Sequence, residues 1–174
     1  VPELRPLLMS RWPNVAGLLG CTGLLIYAYY LQYWEGLEPC PLCIFQRIAF
    51  FALGLSFLSA AIHHPASRFL NGFYATLISL VSLIGVALAL RHLYLQSLPP
   101  EAIPVCGPDL AFMLENFPLS KILTTVLRGS GSCAVIDWTL LGLSIPGWAL
   151  IWFLVLGVGG TVANVVRILP SLKQ

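Results

Sequence analysis

Cys40-Pro41-Leu42-Cys43 is the segment of this chain best equipped for chemistry. Two thiols three positions apart can close a small disulfide ring and reopen it. So short a ring is a poor structural staple, because closing it removes little entropy from the unfolded chain while its sulfurs exchange readily. If the pair opens a helix, the unsatisfied N–H groups and the dipole of that terminus favour a thiolate, most of all on Cys43. Arg47 follows four residues on, one turn along the same face. Its fixed charge favours that thiolate further and can hydrogen-bond an acceptor oxygen of a ligand. His92, beside Arg91, can supply a second polar group. Three more cysteines lie elsewhere, at Cys21, Cys106 and Cys133.

The chain that must position these groups has 174 residues, 58% hydrophobic and only 9% charged, with a mean hydropathy of +0.87. Soluble domains are roughly a quarter charged, because a water-facing surface needs charge. This chain must therefore expose apolar surface to lipid, and a bilayer is its first expected partner. Its composition excludes intrinsic disorder, a nucleic-acid-binding face and a large cytosolic enzyme, and its length leaves one domain, residues 1–174. A net charge of +2 is too mild to imply an anionic partner.

Crossing about 30 Å of hydrocarbon takes about 20 apolar residues in a helix. Uncharged runs of that length occupy Trp12 to Trp34, Phe69 to Leu90 and Trp138 to Val166. A fourth, Ile48 to Ile62, has only 15 residues and reaches across only by extending back through Leu42 to Arg47, which draws that arginine into the membrane shoulder. The expected fold is an all-α bundle of four transmembrane helices, at about 13–34, 43–62, 70–91 and 145–166, with outward loops at about 35–42 and 93–144. The first run is longer than a signal-peptide core and ends in Trp34-Glu35, so it is expected to be a retained helix. Four spans put both termini on one side, with Arg5, Arg11, Arg68, Arg167 and Lys173; the opposite loops carry Lys121 and Arg128. That bias makes the terminal side cytoplasmic, although counting Arg47 and Arg91 at the far shoulder narrows it. Trp34, Trp138 and Trp148 are expected to anchor the far interface.

The second outward loop holds most of the soluble character. Its proline-rich start, Ser97 to Val105, should be extended. Asp109 can cap a short helix with Leu110, Met113, Leu114 and Phe117 on one face. After Pro118, residues Leu119, Ile122, Leu123, Val126 and Leu127 oppose Ser120, Lys121, Thr124, Thr125 and Arg128. That pattern suits a helix lying on the bilayer surface, or one packed on the loop's own core. Cys40, Cys43, Cys106 and Cys133 share the outward side; in an oxidising compartment an even number of thiols suits two disulfides. Cys21, within the first span, is expected to be a small buried hydrophobe. A four-cysteine structural metal site is disfavoured, because Cys106 and Cys133 do not form a second C-x-x-C, and no metal is expected. Two inert staples on a tetraspan scaffold are the non-enzymatic alternative.

Glu38-Pro39-Cys40-Pro41-Leu42-Cys43-Ile44-Phe45-Gln46-Arg47, followed by a span, resembles the first outward loop of the disulfide bond formation protein B (DsbB) family. Cys106 and Cys133 in a long second loop, then Asp137-Trp138, Leu141-Gly142-Leu143 and Pro146-x-Trp148 before the last span, fit the same family. The resemblance implies a thiol:quinone oxidoreductase of the bacterial inner membrane, with its cysteine loops in the periplasm. A DsbA-like periplasmic thiol oxidase would reduce a Cys106–Cys133 disulfide through Cys106. Cys133 would then attack Cys40, and the released Cys43 would form a charge-transfer complex with ubiquinone or menaquinone from the membrane quinone pool. Arg47 matches the family's quinone-associated arginine, and His92 a nearby histidine. Pro41 stands where the family is associated with a branched aliphatic residue. A vitamin K epoxide reductase-like bundle is the nearest enzymatic alternative, but there the C-x-x-C would be expected late in the chain.

Overall fold

The computed structural model describes residues 10–65, 67–102, 110–129 and 131–168. Six α-helices and one small hairpin make up the regular structure among them: α1 Trp12–Tyr33, α2 Pro41–His63, α3 Arg68–Gln96, α4 Leu110–Asn116, α5 Leu119–Arg128, strands β1 Thr139–Leu140 and β2 Leu143–Ser144, and α6 Ile145–Val166. Helices α1, α2, α3 and α6 are long and apolar enough to cross a membrane. The chain is a multi-pass, all-α membrane bundle.

Local chemistry sets the helix ends. Pro41 fills the first turn of α2, where its missing N–H costs nothing, and Cys40 is the N-cap. The Ser67 hydroxyl caps α3 by accepting from the Leu70 N–H at 3.2 Å. Helix α2 stops as His64 turns left-handed, with φ of 34°, just before Pro65.

Within the bundle α3 packs most extensively on α6, and α1 on α2. Glycine makes these approaches possible. Phe57 of α2 wedges between Gly17 of α1 and Gly160 of α6, where added Cβ atoms would lie 2.7 and 2.5 Å from its ring. Phe153 of α6 fills the notch at Gly85 of α3 and stacks on Phe50, with ring centroids 3.9 Å apart. Lipid gives apolar helices no hydrophobic reason to associate, so such close packing and interhelical hydrogen bonds carry the assembly. Asn14 and Asn164, both fully buried, exchange amide bonds between α1 and α6; Arg167 donates to Asn164 Oδ1 and to Ser10 O. Ser79 and Thr161 bond at 2.7 Å between α3 and α6.

The outward loops close the far end of the bundle. Helix α3 runs on to Gln96, past the expected end near 91, and the Arg91 side chain turns out to donate to the last carbonyls of α5, Leu127 O at 2.8 Å and Arg128 O at 2.7 Å. Ile122 and Val126 of α5 are buried with Met113 of α4, while Leu119, Leu123 and Leu127 stay exposed. The apolar face of α5 is thus divided, its inner edge on the bundle and its outer edge open. In α4 the expected face is likewise only partly used, because Leu114 is exposed. Its expected cap Asp109 lies outside the described residues, as does the end of the proline-rich segment. Gly129 turns the chain after α5 with φ of 86°, against Leu95, where a side chain would collide. The β1–β2 hairpin turns through Leu141 and Gly142, both at positive φ, in a two-residue loop of the type I′ kind.

Candidate functional site

Cys40 stands at the mouth of α2 because the N-cap position must be extended, with φ of −64° and ψ of 163°, and its sulfur accepts from the Cys43 N–H at 3.4 Å. One turn of helix brings Cys43 Sγ to 3.3 Å from Cys40 Sγ, within easy reach of a disulfide bond. Helix α3 meets this turn with His92, only 2% exposed. Its Nε2 lies 3.7 Å from Cys40 Sγ, and its Nδ1 lies 3.3 Å from the Gln46 amide. Cys133, buried in the short 3-10 turn Gly131–Cys133 that packs on α3, lies close enough to act on the same ring. A cysteine of the second loop is therefore packed at the back of the first pair. Cys106 lies outside the described residues, and so does any Cys106–Cys133 bond.

Arg47 points the other way, toward α1. Its guanidinium donates to Ala28 O at 3.0 Å and to Gln32 Oε1, and lies over the Tyr29 ring at 5.1 Å. These contacts answer the desolvation of a partly buried charge. Beside it opens a cavity of about 260 Å³ walled by α1, α2, the hairpin and α6. Its walls are almost wholly apolar, with Tyr27, Trp138, Trp148 and Trp152 among them, and its polar members include Cys43, Gln46 and Arg47. Trp148 is fixed by an indole bond to Leu140 O at 3.0 Å, and the Ser144 hydroxyl donates to Gln96 at 2.8 Å, tying the hairpin to α3.

A second, smaller cavity of about 70 Å³ adjoins it on the loop side. Cys43 and Arg47 line both; Cys40 and His92 line only the second, with Glu38 and Asp137. The sequence-predicted residues Cys40, Cys43, Arg47, His92 and Cys133 thus converge, but on two sides: His92 faces Cys40, and Arg47 borders the apolar space. Trp138 and Trp148 line that space, a place beyond the anchoring expected of them, whereas Trp34 is exposed. Cys21 is buried against Gly54. Sequence reasoning missed Gln32 and Gln46. Gln46 carries a signal, a polar amide in an apolar run one helical turn from Cys43, whereas the partner of Gln32 comes from another helix.

Comparison with known proteins places these residues in a wider group. The model of the family described as "Disulfide bond formation protein DsbB" matches residues 10–163. Among curated proteins, the "Disulfide bond formation protein B" of Nitrosococcus oceani is 51% identical over 151 residues, covering 87% of this chain and 89% of that protein. The protein of the same name from Methylococcus capsulatus is 54% identical over 148 residues, covering 85% and 90%. That of Hahella chejuensis is 54% identical over 136 residues, covering 78% and 82%.

Proposed function

The chain belongs to the DsbB family of disulfide bond formation proteins, and from that premise we propose that it reoxidises a DsbA-like periplasmic dithiol and passes the electrons to a membrane quinone. The observation that carries this reading is the position of Cys43. Its sulfur is half of a dithiol pair and also part of the wall of an apolar cavity that opens among transmembrane helices.

The relay balances in three exchanges. A reduced partner dithiol attacks a Cys106–Cys133 disulfide at Cys106; the partner leaves oxidised, and both loop thiols are reduced. Cys133 then attacks Cys40 of a Cys40–Cys43 disulfide, releasing Cys43, and Cys106 completes the loop disulfide. The burial of Cys133 beside His92 and Cys40 supports this order. Reforming the Cys40–Cys43 bond removes two electrons and two protons from the pair. A bound quinone would supply the two-electron acceptor, as a dithiol oxidant at about −120 mV requires.

The cavity fits such a group. It is apolar, flat aromatic side chains wall it, and Arg47 offers a fixed N–H donor for a carbonyl oxygen. Cys43 presents its sulfur to this space. His92 Nε2 is positioned to exchange a proton with Cys40, and Gln46 holds the ring. The assignment is to the bacterial inner membrane, with both termini cytoplasmic and the cysteine loops periplasmic. Ubiquinone and menaquinone both meet the chemistry.

The deciding experiment is quinone-dependent reoxidation of a reduced DsbA-like protein. Cys43→Ser should reduce turnover to background, and a variant that still turns over would overturn the relay. Cys133→Ala should accumulate a mixed disulfide between Cys106 and the partner; an adduct through any other cysteine would reverse the assigned order.

A further inference from the structure

Cys40, Cys43 and His92 bring two sulfurs and an imidazole nitrogen within 4.8 Å of one another. Tetrahedral zinc, with bonds of about 2.3 Å to sulfur and about 2.0–2.1 Å to nitrogen, sets neighbouring ligand atoms about 3.5–3.8 Å apart. Two of the three separations are near these values, 3.3 Å between the sulfurs and 3.7 Å from Cys40 Sγ to His92 Nε2, and the third, from Cys43 Sγ to the ring, is within 4.8 Å. We propose that the reduced Cys40–Cys43 pair and His92 form a binding site for a thiophilic d10 cation, Zn²⁺ in the first place, which withholds the dithiol from oxidation while it is bound.

Three features of the surroundings favour such a site. Gln46 lies 3.3 Å from His92 Nδ1; with its amide turned so that Oε1 accepts from Nδ1–H, it supplies the outer bond that orients a metal-ligating histidine and leaves the Nε2 lone pair directed at Cys40 Sγ. The smaller cavity is lined by Glu38 and Asp137 together with all three ligands, so carboxylates border its opening and it leaves room for a fourth ligand. Arg47, the cation that shares this wall, is engaged by Ala28 O and Gln32 on α1. Two thiolates neutralise the ion's charge, which suits a buried setting.

Binding forms two S–metal bonds and one N–metal bond, breaks two S–H bonds and releases two protons. No electron moves. The lone pairs that hold the ion are those needed to attack or form a disulfide, so metal and disulfide exclude each other. This site uses neither Cys106 nor Cys133 and is not the four-cysteine cluster that their spacing disfavours. Metal binding follows from the geometry alone, while its effect on turnover rests on the proposed redox role.

The test is titration of the full-length protein in detergent, reduced, desalted and free of quinone, with Cd²⁺ as the probe. An ultraviolet thiolate-to-cadmium absorption band should saturate at one ion per chain, and Zn²⁺ should displace it. Oxidised protein should show no band. His92→Ala should weaken binding at least tenfold, and Gln46→Ala roughly tenfold through the lost outer bond. The Cys106→Ala/Cys133→Ala double variant should keep the band. Absence of the band in reduced wild-type protein, equal affinity in His92→Ala, or loss of the band in the double variant would each overturn the site. Quinone-linked oxidation measured on the same samples separates the two claims. In metal-free aliquots, no oxidation where the cadmium-loaded aliquots show the band defeats the relay and leaves the site, whereas oxidation without any band on loading defeats the site alone.

Discussion

Arg47 is held by a carbonyl, an amide oxygen and an aromatic face, all from α1, so its guanidinium reaches the cavity edge already oriented. A charge-assisted hydrogen bond contributes about 1.5–3 kcal/mol, so Arg47→Ala should raise the apparent KM for quinone roughly 10- to 100-fold. Arg47→Lys should recover little, because an ammonium cannot span Ala28 O and Gln32 with a planar fork. Steady-state kinetics over a quinone series checks this, and an unchanged KM would remove Arg47 from the binding site. Gln32→Leu deletes one neutral partner of the same guanidinium, and its effect should stay below about tenfold. At this scale the sequence is uneven. Cys40, Cys43 and Arg47 are legible because their spacing equals one helical turn. Gln32 is not, because only the packing of α1 on α2 brings it to Arg47, 15 residues away along the chain.

The elements are held together by notches rather than by a hydrophobic seam. Gly85→Ala would drive a methyl into the Phe153 ring and should cost about 1–3 kcal/mol, read as a lower unfolding temperature in detergent. Gly23→Ala, which meets nothing within 4 Å, should leave that temperature unchanged. Asn164→Leu strands the buried Asn14 amide and should cost about 0.6–2 kcal/mol in the same assay. The four spans are legible because charge is excluded from lipid, and the start of α2 because proline suits a first turn. The same rule marks where charge begins and not where a helix stops: the Arg91 side chain turns outward onto the α5 carbonyls while the backbone continues to Gln96. The β1–β2 hairpin escapes sequence reading altogether. Its strands are two residues each, too short for any alternation, and Leu141 takes a positive φ that its residue type does not advertise.

For the whole molecule, the proposed orientation, with both termini on the cytoplasmic face and α5 on the other, rests on the positive-residue bias and on four helices able to span. In intact spheroplasts a membrane-impermeant maleimide should label Ser120→Cys, whereas Ser10→Cys should react only after permeabilisation, each scored against the unsubstituted chain. The reverse pattern would invert the orientation and, with it, the compartment of the cysteine pair. That orientation gives the two adjoining cavities different clients. In the proposed function, water-borne thiols would meet Cys40 through the small, acid-edged opening, and oil-soluble molecules would meet Cys43 through the large aromatic one. On the proposed relay, Cys43 with Arg47 acts as a bulkhead that conducts only by chemistry. On that reading the membrane's oxidising power is discharged through cysteine exchange, and protection against leakage comes from the placement of Cys43 and Arg47 where the two spaces meet.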